Sequence, residues 1–423
     1  MCGGQSWVDT FNPPPRAAGG NFKKNMSVIQ ISGAGCCLLD YLFTGIDFND
    51  PSFRKYLSVS YGDGGFSPGK LVFTDDFEHF CQRKFTDVLP EITRGHVPDK
   101  QNLGGPSIVA LIHTAQMLAD RAEVRFYGAL GKDETGRTIL SIIEQTPVKP
   151  ARIISSDKDS PYTYVLSDPA YNDGHGERTF INNIGAAWDI HPDDLDEEFY
   201  QSDIVVFGGT ALVPNLHDHL PELLVKGKDN RCVTVVNTVY DFRNEKKKAG
   251  RPWQLGNGDE SYRLTDLLIM DREEAQRISG TGSIKDTINF FISHRVASFI
   301  ITNGPEPIWL YADGSLFTKT GPLQMPVSKS IVNMVRSGNI TGGDTTGCGD
   351  NFAGGVIAAL ADQLREKPRG KLSLQQACAW GIVAGGFTCF YLGGTYLEKH
   401  SGEKYSLLIH HFEEYLKQVS GTI

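Results

Sequence analysis

Short β-branched runs alternate along this chain with stretches of helical periodicity, and that rhythm narrows the fold more than any other feature. Val28–Ile31, Val124–Tyr127, Ile204–Phe207, Val233–Val236, Leu267–Met270 and Ser298–Thr302 have the length and residue types of strands. The segment after Gly105 instead carries Ile108, Leu111, Ile112, Ala115 and Leu118 at amphipathic helical spacing. Strand, helix and strand in succession make a βαβ unit. The pattern therefore predicts an α/β fold with a mainly parallel central sheet and helices on both faces, its first strand at Ser27–Ser32.

Two stretches break the rhythm. Asp47 to Leu103 holds a glycine-rich run, Gly62–Gly69, followed by the strand-like Lys70–Thr74, and Asp75–Arg94 reads as a helical elaboration. Farther on, Tyr162–Leu166 and Arg178–Asn182 flank the turn-forming Asp173-Gly-His-Gly176. Both stretches read as hairpin-like strands outside the parallel sheet. A hairpin alone is marginally stable, so the two are expected to shield each other in one small β-rich lid.

Composition removes several classes of function. Of the 423 residues, 40% are hydrophobic and 22% charged, which fits neither a disordered nor a membrane protein. No apolar run is long enough to span a bilayer. A formal charge of −9 disfavours binding along a phosphate backbone, so no nucleic-acid or membrane partner is expected. Eight cysteines without a CxxC pair fit a reduced, cytoplasmic setting, and the adjacent Cys36 and Cys37 read as buried. Residues 1–26 are rich in Gly, Pro and polar residues and read as a flexible extension.

The segment that carries chemistry runs Gly342-Gly-Asp344-Thr345-Thr346-Gly347-Cys348-Gly349-Asp350, followed by a helix expected over about Asn351–Leu364. Small residues admit a ligand close to the backbone, and the N–H groups of the helix start would point at it, which makes an anion site. Asp350 stands at that helix start, where it can accept a proton from an attacking hydroxyl. A helix cap alone would need one acceptor. It would not need two flanking glycines, two threonines and a second carboxylate six positions earlier.

Asp344-Thr-Thr-Gly-Cys-Gly-Asp350 resembles the second signature of the ribokinase-like (PfkB) carbohydrate kinases, with Cys348 where Ala is usual. The resemblance implies that Asp350 is the catalytic base, that Gly347, Cys348 and Gly349 form the anion hole, and that Asp344, Thr345 and Thr346 meet nucleotide. Gly104-Gly105-Pro-Ser107 and Tyr127-Gly-Ala-Leu-Gly-Lys-Asp-Glu-Thr-Gly136 are similar to the first signature, with Val109 where a substrate-binding Asn is usual. It implies substrate contacts at Asp40, Gly104 and Gly105. Asp271-Arg-Glu-Glu274 resembles the family's NxxE segment, Asp271 replacing Asn, and implies that Asp271 and Glu274 order Mg²⁺ through water. Ile301-Thr302-Asn-Gly304 resembles the loop that meets nucleotide, implying contacts at Thr302 and Gly304, and Gly176–Asn183 resembles the second lid strand.

These residues lead to an expected ribokinase-like kinase that transfers the ATP γ-phosphate, with Mg²⁺, to a hydroxyl of a sugar or nucleoside. The alternative is a non-catalytic sugar- or nucleotide-binding regulator on the same fold. The expected organisation is a nucleotide-binding α/β domain from 27–46, 104–157 and 184–423, with a substrate lid from 47–103 and 158–183. Two other motifs fail. Gly64–Lys70 has Walker-like spacing, but Leu71 stands where Ser or Thr must hold magnesium. Gly33-Ala-Gly35 starts a dinucleotide fingerprint, but Leu38 takes the place of its third glycine.

Overall fold

Strands whose two faces are both covered must be apolar at every position, and Ile204–Phe207 shows the consequence. Ile204 and Val206 enter one core while Val205 and Phe207 enter the other. The computed structural model describes residues 27–421 apart from 61, 175, 248–249, 338–342 and 369; the expected extension over 1–26 lies outside the described residues. In chain order the strands are β1 (Ile29–Gly35), β2 (Leu38–Phe43), β3 (Leu71–Phe73), β4 (Lys100–Gly104), β5 (Ala122–Gly131), β6 (Lys149–Ser156) and β7 (Tyr162–Asp168). They continue as β8 (Glu177–Asn183), β9 (Ile204–Gly208), β10 (Val233–Asn237), β11 (Leu267–Asp271), β12 (Ser298–Thr302), β13 (Ile308–Ala312) and β14 (Thr320–Met325).

A nine-stranded sheet has the order β14-β13-β12-β11-β10-β9-β1-β5-β6. It is parallel from β6 through β12; β13 pairs antiparallel with β12, and the edge strand β14 pairs antiparallel with β13. Helices Pro106–Leu118, Cys348–Glu366 and Leu374–Thr388 pack against one face. All six runs expected to be strands lie in this sheet, and the α/β, mainly parallel architecture is the observed one.

The second sheet has the order β3-β8-β7-β2-β4. Here the structure departs from the sequence reading in two ways. β2 belongs to this sheet, paired with β4 and β7, although residues 27–46 were expected within the α/β domain. Cys36 and Cys37 separate it from β1, so the chain leaves one sheet and enters the other within two residues. Moreover, Gly62–Thr74 does not close a hairpin. β3 is short and pairs in parallel with β8, whereas β7 and β8 do form an antiparallel pair.

The outer face of this small sheet is covered by an aromatic core. Phe48 stacks on Phe53 and Phe66 on Phe77, with ring centroids 4.6 and 4.4 Å apart. Two helices, Thr74–Cys81 and Phe85–Ile92, supply Phe77, Phe85, Val88 and Ile92 to it. This is the expected elaboration over Asp75–Arg94, broken at Gln82, which adopts a left-handed conformation. The inner face is left to the cleft between the sheets. Asp40, Thr163 and Asn182 occupy aligned positions on β2, β7 and β8 and share one face.

Candidate active site

The helix expected from Asn351 begins three residues earlier, at Cys348, and Gly347 is its N-cap with φ 75°. That left-handed conformation costs a glycine little and turns the chain sharply into the helix. The N–H groups of the first turn have no intrahelical carbonyl to bond; the Cys348 N–H makes only a long 3.4 Å bond to the Thr345 carbonyl, which a stronger acceptor such as an anion can displace. Asp350 therefore sits inside this turn instead of ahead of it. It keeps partial access to solvent but lies deep among protein atoms, and that desolvation pushes its carboxyl up to about 6.

Upstream, Asp344 braces the segment. Its carboxylate accepts from the Thr346 N–H at 3.0 Å, the Thr346 hydroxyl at 2.8 Å and the Gly393 N–H at 3.2 Å. Thr345 and Thr346 meet a residue to which the sequence reading assigned no role. Arg178, at the start of β8, donates to the Thr346 hydroxyl at 2.6 Å and the Thr345 hydroxyl at 2.7 Å, and lies 3.5 Å from Asp344. A signal for it existed. Residues 342–356 contain no Lys or Arg, so an anion site there must borrow its positive charge from elsewhere in the chain.

Asp40 is almost fully buried on the inner face of the small sheet. Burial, then the charges of Asp350 and Asp344, hold its carboxyl well above the usual range, so the three carboxylates share one cleft. Gly104, paired with Leu38 across β2 and β4, explains itself by close approach: a Cβ there would lie 2.2 Å from Asp40 Oδ2. Gly105 follows as N-cap of helix Pro106–Leu118. Val109 is buried on that helix and packs near Gly394, at the back of the Gly347 turn. The Cys348 sulfur lies 3.6 Å from Cys389 Sγ, and this contact together with burial pushes the Cys348 thiol far up, so it stays protonated.

Asp271 and Glu274 open helix Arg272–Ser279 in a reciprocal capping box. Asp271 Oδ1 accepts from the Glu274 N–H at 2.8 Å, and Glu274 Oε2 accepts from the Asp271 N–H at 3.1 Å and from Thr238 at 2.6 Å. Burial first, then the Asp271 charge, push Glu274 up to about 8. Two hard carboxylates that repel each other suit a divalent cation, which would relieve that repulsion. No group of three or more His, Cys, Asp or Glu arranged to hold a metal ion occurs among the described residues. Thr302 pairs with Asp271 at the carboxyl ends of β12 and β11, and Gly304 follows with φ 56°.

Beside this cleft lies a cavity of about 750 Å³ between the edge of the small sheet and the loops after β9 and β10. Phe73, Asn182, Trp188 and Phe242 are among its walls. Phe73 and Phe242 meet edge to face at 5.4 Å, and Lys246 pairs with Asp76, so the small sheet is clasped to the main body there. Asn182 Nδ2 donates to Thr163 at 2.8 Å, while its Oδ1 is buried without a partner among the described residues.

A parallel sheet, a second sheet facing its carboxyl edge and a glycine-rich helix start between them define a ribokinase-like α/β protein. Comparison with known proteins places it more narrowly. A family model described as pfkB family carbohydrate kinase matches residues 99–400, and the chain belongs to that family. It is 25% identical over 282 residues to adenosine kinase of Saccharomyces cerevisiae, covering 62% of this chain and 73% of that protein. It is 23% identical over 287 residues to probable fructokinase-2 of Arabidopsis thaliana, covering 66% and 79%. Adenosine kinase from Schistosoma mansoni in complex with 2-fluoroadenosine shares the fold, with a TM-score of 0.63 at 16% identity over 86% of this chain and 96% of that one.

Proposed function

We propose that this chain transfers the γ-phosphoryl group of ATP to a hydroxyl of a sugar or nucleoside, with Asp350 as general base. The observation that carries the reading is one desolvated carboxylate, Asp350, in the first turn of a helix whose N-terminus is framed by Gly347, Cys348 and Gly349. Asp350 accepts the hydroxyl proton as the acceptor oxygen bonds to the γ-phosphorus and the bond to the β,γ-bridging oxygen breaks. Arg178 and the first-turn N–H groups offset charge on the transferring group. Asp271 and Glu274 would hold Mg²⁺, and Thr302 and Gly304 would lie on the nucleotide side. Such an ion would supply charge neutralisation of the phosphate oxygens.

Asp40 orients the acceptor from the other side, with the Gly104 and Gly105 backbone against it. The 750 Å³ cavity favours an acceptor with a second ring. Asp40 and Asn182 lie two strands apart on one sheet face, about 10 Å by ordinary strand spacing. A nucleoside spans that length, whereas a free hexose does not. Phe73, Trp188 and Phe242 offer faces for a heteroaromatic ring and the unpaired Asn182 Oδ1 an acceptor for its edge. The same reading puts the enzyme in the cytoplasm, where ATP is supplied, and the cysteines among the described residues are free thiols.

The test is ADP release with adenosine, other nucleosides, ribose and fructose as acceptors, for the wild type and Asp350→Asn. The amide keeps the shape but cannot take the proton, so turnover falls about 10²–10⁴-fold while nucleotide affinity stays within about threefold. Wild-type turnover in a folded Asp350→Asn variant refutes the assignment of the base.

A further inference from the structure

Behind the Gly347 turn lies a buried polar group that the proposed chemistry does not use. Lys404, near the start of helix Glu403–Ser420, is 1% exposed, yet no carboxylate bonds its ammonium among the described residues. Its Nζ donates to Asn351 Oδ1 at 3.0 Å and lies about 6 Å from the ring centres of Tyr391 and Tyr396. Burial draws Lys404 down to about 7 against the opposing charge of Glu398, whose carboxylate accepts from the Lys404 backbone N–H at 2.8 Å but does not reach the ammonium. Taking an ammonium out of water with so little compensation is costly, and an apolar side chain of the same length would pack there without that cost.

Asn351 directly follows Asp350, and its amide is fully committed. Nδ2 donates to the Gly347 carbonyl at 2.9 Å and to the Gly394 carbonyl at 2.8 Å. Oδ1 accepts from Lys404 and from His113 Nδ1 at 2.9 Å. The two carbonyls can only accept, so Nδ2 faces them and Oδ1 takes the donors, which fixes both the amide orientation and the His113 tautomer. The Gly347 carbonyl belongs to the same peptide group as the Cys348 N–H, whose only bond among the described residues is the long one to the Thr345 carbonyl at 3.4 Å, which a phosphoryl oxygen can displace. A hydrogen bond to the oxygen of a peptide makes its N–H a stronger donor.

We infer that Lys404 and Asn351 are positioning residues of the anion hole: the ammonium polarises the Asn351 amide, which in turn holds the Gly347 turn and strengthens the Cys348 N–H toward the transferring phosphoryl group. The chain of bonds runs from Lys404 Nζ through Asn351 Oδ1 and Nδ2 to the Gly347–Cys348 peptide. It delivers positive potential to the anion site from behind the helix start, on the side away from Arg178. The inference rests on the phosphoryl-transfer reading of that site.

The experiment compares the wild type, Lys404→Met and Lys404→Gln by calorimetric titration with MgADP and with its γ-phosphoryl-bearing analogue MgAMP-PNP, together with melting temperature. Lys404→Met is expected to lose about tenfold of the preference for MgAMP-PNP over MgADP and to melt no lower than the wild type, since it also removes a buried charge. Lys404→Gln keeps an N–H donor to Asn351 and is expected to lose less. An unchanged preference in Lys404→Met overturns the inference, as does a loss of preference matched by a fall in melting temperature, which marks a structural role. Absence of nucleotide binding by the wild type overturns the phosphoryl-transfer reading itself.

Discussion

Asp350 shows what a single carboxyl acquires from its surroundings. In water it would be ionised at any physiological pH, but burial raises it to about 6, close to where a base both ionises and still binds a proton usefully. A raised carboxyl is protonated, and inactive as a base, below that value. The rate kcat/KM for the acceptor is therefore expected to climb with pH through about 6 and level off above it. A pH-rate profile from 5 to 8 checks this; a rate already level at pH 5 would mean that the working carboxyl is not desolvated. Cys348 makes the opposite point. Its thiol stays protonated against Cys389, so it serves the turn as a small residue, as Ala does in the family signature that it resembles.

At the scale of the element, β8 does two jobs at its two ends. Its start carries Arg178 to the Thr345 and Thr346 hydroxyls, and its end presents Asn182 to the cavity beside Asp40. One strand thus links the proposed phosphoryl and acceptor sides. Arg178→Met keeps most of the stem but removes the guanidinium and its charge-assisted bonds. It is expected to lower kcat/KM for MgATP about tenfold to a hundredfold, with melting temperature within a few degrees, because the arginine is partly exposed. Equal kinetics for variant and wild type would mean that the contact is only a surface latch.

At the scale of the molecule, the two segments that interrupt the α/β rhythm, although distant in sequence, end in one sheet: β3 pairs with β8 and β8 with β7. If that sheet closes over the acceptor, adding acceptor slows hydrogen exchange in Gly62–Thr74 and Tyr162–Asn182 together. Nucleotide analogue alone is expected to protect mainly Ile301–Gly304 and the helix start at Cys348. Protection of one lid segment without the other would separate them as independent decorations.

Sequence alone determined the α/β class, the six central strands and the glycine-rich helix start around Gly347–Asp350, because each is written locally: β-branched runs, helical spacing, and small residues ahead of a helix. Long-range pairing was not so written. β2 reads as a continuation of β1, and only its partners β4 and β7 assign it to the small sheet. The parallel pairing of β3 with β8 likewise joins residues about a hundred positions apart, which no turn signal records. Lys404 was illegible for the same reason, and the missing positive charge of the Gly342–Val356 segment called for a partner without pointing to Arg178. A charged residue in a strand or helix reads as solvated, and only the folded chain decides whether it faces water, the Thr345 and Thr346 hydroxyls, or the amide behind Gly347.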